Sequence, residues 1–326
     1  MVLGNRSAGA SKRRGRWLFR TLAALTAAVA FATVAPGADV AFGSTGGSRI
    51  FLDPTSALVA AAKPYPRVSV LATTPTARWL LESSDSATGM ASLRAYLTAA
   101  SVAGAAPELV LYNMPERDCG SGQSSGGLSV GAYLPWVRKV ASALHGHPSA
   151  MVILEPDALA HTTSCSLHYN RLRMLNRATR VLAASGAHVY LDAGNSAWLS
   201  ADTAAQLLAK AGVKHVDGFS LNVSSFRPTR ETTAYAKTIL GDLQQRGISG
   251  AHYVIDTSRN GGRVIPGNWC NPVGARLGHQ PRLFSTGRLD AYLWVKPPGE
   301  SDGYCNGGPA AGTFSLQLAL RLIGKH

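Results

Sequence analysis

Acidic side chains are scarce: the 326 residues contain 18 Asp and Glu against 32 Lys and Arg, a formal charge of +14. A surplus of that sign raises the question of a nucleic-acid partner. The cations beyond the N-terminus are scattered, however, form no block of like charge and accompany no nucleic-acid signature, so no such partner is expected. Cysteine is almost missing as well, with four residues and no CxxC pair, which argues against a metal site. Internal repeats, low-complexity tracts and a second compositional domain are absent. The one long apolar run, Leu22 to Ala35, is too short for a comfortable membrane span.

That run has a setting of its own. Arg6, Lys12, Arg13, Arg14, Arg16 and Arg20 precede it, and Pro36 with a series of small residues follows, the three-part layout of a secretory signal peptide. Residues 1–44 are therefore read as signal peptide and leader, and 45–326 as one catalytic domain. A retained N-terminal anchor is the alternative, and membrane contact is expected only through this leader. Arg13-Arg14 leaves twin-arginine export open. Without the leader 26 basic side chains face 17 acids, and roughly 280 residues remain, enough for one large α/β domain. In an exported chain, an even number of widely spaced cysteines points to disulfides. Three pairings of Cys119, Cys165, Cys270 and Cys305 are possible. The sequential one, Cys119 with Cys165 and Cys270 with Cys305, only has to tie together loops at one end of a sheet. Each closure contributes at most about 4 kcal/mol in the chain-entropy model.

Periodicity predicts strands at Ala77–Leu81, Leu109–Tyr112, Met151–Leu154, Val189–Leu191, Gly218–Leu221, Tyr253–Ile255 and Ala291–Val295. Helical patterns lie between most of them, at Ser92–Ala103, Val130–Leu144, Leu167–Ala184, Ala201–Ala211 and Thr232–Arg246, and a last one runs from Phe314 to Ile323. This alternation implies a parallel α/β barrel or a doubly wound sheet. Two connections, 113–127 and 257–289, are long and rich in Gly, Ser and Pro, as functional loops often are.

The clearest strand ends abruptly in two carboxylates: Ala150 to Ala160 reads AMVILEPDALA, with Glu155-Pro156-Asp157 at its close. Loops at the C-terminal ends of parallel strands build active sites. Asp118, Asp192, Asp256, Glu300 and Asp302 follow the same rule, each just beyond a predicted strand. Trp79, Trp198 and Trp269 are interleaved with them, of a kind that stacks on sugar rings, although burial is the default use of an indole. Several carboxylates in one cleft suit a reaction that needs a proton donor and an acceptor together. Glycoside hydrolysis is such a reaction, and Asp118 near Asp157 would raise the pKa of the acid.

Five blocks resemble those of the family 6 glycoside hydrolases, the β-1,4-glucan-cleaving cellulases: YNMPERDC (112–119), ILEPDAL (153–159), YLDAG through Trp198-Leu199 (190–199), NWCN (268–271) and WVKPPGESDG (294–303). The resemblance runs from about residue 50 to the C-terminus. It implies a distorted barrel of seven parallel strands, an inverting mechanism and no cofactor or metal. In that likeness Asp157 is the general acid, and Asp118 raises its pKa and helps hold the attacking water. Tyr112 crowds the reacting ring, Ser124 orders the water from a mobile loop, and Asp302 is the proposed base, with a water relay as the alternative. Trp79, Trp198 and Trp269 are stacking platforms, Lys296, Glu300 and Asn222 are read as substrate contacts, and Asp192 as an acid that either contacts sugar or supports the residues that do. The family's disulfides agree with sequential pairing. Two departures stand out: Asn195 where His is usual, and Ser124-Ser125-Gly126-Gly127 in place of Ser-Asn-Gly-Glu.

The resulting expectation is a secreted, monomeric endo-β-1,4-glucanase with an open cleft and no attached carbohydrate-binding module. The alternatives are a cellobiohydrolase of the same family or a glucan-binding protein without turnover. Gly122-Gln123-Ser124-Ser125-Gly126 matches a serine-hydrolase elbow, but it lacks the preceding strand that an elbow requires. His145-Gly146-His147 has no third metal ligand nearby, and Asn222-Val223-Ser224 is a glycosylation sequon by pattern only.

Overall fold

Every predicted apolar run becomes a strand of one sheet. The strands are β1 (Arg78–Leu80), β2 (Glu108–Leu111), β3 (Met151–Leu154), β4 (His188–Asp192), β5 (Gly218–Leu221), β6 (His252–Asp256), β7 (Arg282–Leu283) and β8 (Leu289–Leu293), ordered β1-β2-β3-β4-β5-β6-β8-β7. All neighbours run parallel except β7, which pairs antiparallel with β8. The two-residue β7 lies inside the long 257–289 connection and is too short for periodicity to reveal. The computed structural model describes residues 49–324, so the predicted leader at 1–44 lies outside the described residues.

Helices α1 (Ala57–Ala62) and α2 (Ser69–Thr73) precede the sheet. After β1 to β5 come, in turn, α3 (Ala87–Val102), α4 (Val130–Leu144), α5 (Arg171–Ala183), α6 (Ala201–Ala211) and α7 (Thr229–Gln245), and α8 (Leu316–Ile323) follows β8. Side-chain caps set several of the starts. Ser86 accepts from Gly89 N–H, so α3 begins ahead of the predicted Ser92, and Asn170 accepts from Arg173 N–H, so α5 begins after the predicted Leu167. Such caps contribute about 1 kcal/mol each. No helix among the described residues is long and apolar enough to cross a membrane.

The period of two divides the strand side chains between two cores. Leu109, Leu111, Val152, Leu154, Val189, Leu191, Phe219 and Leu221 pack outward under the helices. Val110, Tyr112, Met151, Ile153, Tyr190, Val254 and Leu293 fill the interior of the curled sheet. The curl does not close into a complete ladder. At the seam, Ala77 N–H donates to Trp294 O (3.1 Å) and Trp79 Nε1 to Val295 O (2.8 Å). This is the distortion of the expected seven-stranded barrel: β1 and β8 meet without pairing.

Polar groups also enter that interior. Tyr190 Oη donates to Asp290 Oδ2 (2.7 Å), and His252 Nδ1 lies 2.7 Å from Asp290 Oδ1. Glu108 is fully buried and neither carboxyl oxygen has a hydrogen-bond partner. Burial pushes its pKa well above the usual range, with Asp256 adding to the shift. A carboxyl that stays neutral when folded favours the fold at low pH, and that advantage fades as pH rises above the unfolded value. Glu108→Gln is therefore expected to gain on the wild type by about 1.4 kcal/mol per pH unit above about pH 4.5, until the native carboxyl ionises. Thermal midpoints of both proteins from acid to neutral pH test this, and a difference that stays constant with pH would refute it.

Candidate active site

Parallel register brings the C-terminal ends of the strands level, Leu111 beside Leu154 and Leu154 beside Leu191. The loops leaving them surround a cleft of about 1180 Å³. That exceeds the 300–1000 Å³ typical of pockets for small molecules and leaves room for a chain of linked rings. Tyr112, Asp118, Ser124, Asp157, Asp302, Trp79, Trp198, Trp269, Lys296 and Glu300 all line it.

Backbone conformation aims the carboxylates. Asp118 (φ 51°), Cys119 (φ 57°), Glu155 (φ 52°) and Asp157 (φ 68°) are left-handed, at a cost of about 1–3 kcal/mol each for non-glycine residues. The turn at 155–157 sends its two carboxylates to different places. Glu155 is fully buried beneath the site, where it accepts from Asn113 N–H (3.0 Å) and Met114 N–H (2.9 Å) and anchors the start of the 113–127 loop. Burial lifts its pKa to about 7 against those bonds. Asp157 faces the cleft, and its carboxyl has no hydrogen-bond partner among the described residues. Burial raises its pKa well above the carboxylate range, Asp192, Asp118 and Asp302 raise it further, and Lys296 opposes them.

The neighbouring acids are held in different ways. Asp118 accepts from Tyr112 Oη (3.2 Å) and Ser124 N–H (3.0 Å). Asp302 takes both oxygens to Arg259 Nη1 (2.9 and 3.0 Å) and also accepts from Asn271 N–H (3.0 Å). Glu300 Oε2 lies 3.6 Å from Lys296 Nζ, and burial raises its pKa against that pull. Asn222, an expected substrate contact, does not reach the cleft, and Asp192 takes the supporting one of its two expected places. Asp192 is buried and accepts from Asp157 N–H (2.9 Å), Gly194 N–H (3.0 Å) and Ser220 Oγ (3.1 Å). Burial lifts it to about 6, against those bonds. Asn222 is fully buried and left-handed (φ 66°), donating to Asp256 O (2.9 Å) and accepting from Arg227 N–H (2.9 Å). That burial also removes it as a glycan acceptor.

The three tryptophans present their rings differently. Trp79 is half-buried with its N–H spent on the seam, and its ring meets Tyr112 edge-on at 5.1 Å. Trp198 is 39% exposed and Trp269 58%, so both have free area to offer a ligand. Asn195 also lines the cleft.

One arginine assembles the 116–127 loop. Arg117 donates through Nε to Ser124 O (2.6 Å) and through Nη1 to Tyr112 O, pairs with Glu82 (3.1 Å) and lies over the Tyr112 ring (4.4 Å). Gly127, the last residue of the departure at 124–127, is required by this packing: a Cβ there would stand 2.0 Å from Met114 O, at φ +98°. Its N–H donates to Glu82. Disulfides join Cys119 to Cys165 and Cys270 to Cys305, the sequential pairing.

Ser124 sits in this loop and not at a strand-to-helix elbow. His147 Nδ1 pairs with Ser101 Oγ (2.9 Å). Sequence reasoning gave no role to Arg117 and Arg259, which stand inside strand-end segments, or to His161, four residues beyond Asp157. Arg117→Ala removes a buried cation with four partners. It is expected to lower stability by about 3 kcal/mol and to make 116–127 the first segment cut in limited proteolysis. A loop as resistant as the wild type's would refute this role.

Residues 55–325 match the family described as Glycosyl hydrolases family 6. The chain is 45% identical over 253 residues to Endoglucanase A of Cellulomonas fimi, covering 77% of this chain and 54% of that enzyme, so it spans about half the length of that relative. It is 37% identical over 330 residues to Endoglucanase 1 of Streptomyces halstedii, covering 95% and 98%. Among solved structures it is similar to the endoglucanase Cel6 of Mycobacterium tuberculosis in complex with methyl-cellobiosyl-4-deoxy-4-thio-β-D-cellobioside. That likeness has a TM-score of 0.78 and 43% identity, over 85% of this chain and 97% of the other.

Proposed function

Since the chain belongs to glycosyl hydrolases family 6, we propose that it is a secreted, monomeric, inverting endo-β-1,4-glucanase. The observation that carries this reading is the state of Asp157. A carboxyl kept protonated by burial and by neighbouring acids, unpartnered and open to the cleft, suits donation of a proton to a glycosidic oxygen. Trp79, Trp198 and Trp269 hold the glucan by stacking on its rings, and Lys296 and Glu300 hydrogen-bond its hydroxyls. Tyr112 crowds the ring that reacts.

A water attacks from the opposite face, held by Asp118 and Ser124. Asp302, oriented by hydrogen bonds from Arg259 and Asn271, receives its proton through intervening water. Asp192 acts from below, positioning Asp157 through its N–H. The endoglucanase names of the relatives and the breadth of the cleft favour attack within the chain. The leader pattern and the two disulfides favour secretion.

On a soluble β-1,4-glucan, viscosity is expected to fall quickly with few new reducing ends, and Asp157→Ala is expected to abolish both. The first product should carry the inverted α-anomer by NMR. Activity surviving in Asp157→Ala would overturn the assignment of the acid, and β-anomer first would overturn inversion. Asp192→Asn removes a negative neighbour that raises the pKa of Asp157. The alkaline limb of the pH–rate profile, where the acid loses its proton, is then expected to move down by about one unit. An unmoved limb would show that Asp192 does not tune the acid.

A further inference from the structure

His161 has no part in the reaction above, yet it stands at its centre. It lies one helical turn beyond Asp157, its N–H donating to Asp157 O (2.9 Å), and its ring meets Trp198 edge-on at 4.9 Å. Ligand atoms of Asp118, Asp157 and His161 all lie within 4.8 Å of one another. His161 Nε2 is 3.7 Å from Asp118 Oδ1, too far for a good hydrogen bond. Its Nδ1 is 3.8 Å from the disulfide sulfur of Cys119, a weak acceptor.

A proton on Nδ1 would leave the Nε2 lone pair directed at a carboxylate oxygen, and two acceptors in that relation repel unless a cation stands between them. Burial lowers the pKa of His161, and Arg171 adds to this while Asp118 opposes it, so the ring is suited to be a neutral ligand. Two ligands about 2.1 Å from a tetrahedral zinc stand about 3.4 Å apart, close to the separation seen here.

We propose that Asp118, Asp157 and His161 form a binding site for a divalent transition-metal ion, zinc being the representative probe, and that the bound ion blocks the cleft instead of serving hydrolysis. Two carboxylates and an imidazole are an ordinary donor set for such an ion. Zinc competes with protons for these donors, so affinity rises with pH. The groups facing Asp157 are Tyr112, Asp118, Asp192, Asp302 and Lys296, and those facing His161 are Asp118 and Arg171. Of these, only Lys296 and Arg171 oppose a cation.

Calorimetric titration of the full chain with zinc chloride at about pH 6, in two buffers of different ionisation enthalpy, reads both binding and proton release. The wild type is expected to show one tight equivalent with protons released on binding, and His161→Gln to bind it at least about tenfold more weakly. Subtracting the variant removes binding to surface histidines such as His145, His147 and His168. Should His161→Gln fail to fold, judged by near-ultraviolet circular dichroism, Asp157→Asn decides the question: the equivalent and its proton release should both disappear. A wild type without the tight equivalent, or a folded His161→Gln or Asp157→Asn that binds zinc as the wild type does, overturns the site. Binding is read without substrate, so failure here leaves the glucanase reading standing, and the reverse holds as well.

Discussion

Like-charged carboxyl groups crowded into a place with little water are the constraint on which the cleft depends. Asp118, Asp157, Asp192 and Asp302 act on one another there, and a group of that kind can stay ionised only if something specific compensates its charge. Asp302 has Arg259, Asp192 has two backbone N–H groups and a serine, and Asp118 has a tyrosine and the Ser124 N–H. Asp157 has none of these. The unequal provision sets one carboxyl apart from its neighbours within a single chemical type.

Keeping that arrangement requires a rigid frame below and a braced loop above. The frame is the parallel sheet, whose two apolar faces leave the strand ends little freedom to shift. The brace is Arg117, which gathers the carbonyls of Tyr112 and Ser124 around one guanidinium, together with the Cys119–Cys165 bridge at the neighbouring position. Glu155 supports the same loop from beneath. The side chains that line the cleft therefore rest on others fixed by the loop's own backbone and by the buried carboxylate beneath it.

Much of this was legible in the residues alone. Apolar runs flanked by turn residues located the seven parallel strands, and strand-end logic located Asp118, Asp157 and Asp302 at the cleft. What stayed hidden shares a physical cause. Alternation predicts facing only while the backbone is extended, and at positions 155, 157 and 222 it turns left-handed. Glu155 and Asp157 are two apart, and an extended strand would point them the same way; in fact one anchors a loop and the other faces the cleft. Asn222 turned inward for the same reason. Asp192 stays within its strand, but hydrogen bonds from the next loop claim it. Arg259 and His161 act through contacts made across long stretches of sequence, which local patterns do not record, and Arg117 acts through backbone carbonyls of its own irregular loop, which have no periodicity to read.

The left-handed backbone at Asp118 and Asp157 has a consequence for descent. Among L-residues Asn and Asp bear that region better than most, and glycine occupies it freely. An aspartate codon becomes an asparagine or a glycine codon by a single base change. The substitutions these turns accept most readily are therefore the ones that discard the carboxylate. Such a chain would keep its sheet, bridges and exposed tryptophans, so a descendant with the same cleft and one carboxylate fewer lies one nucleotide away.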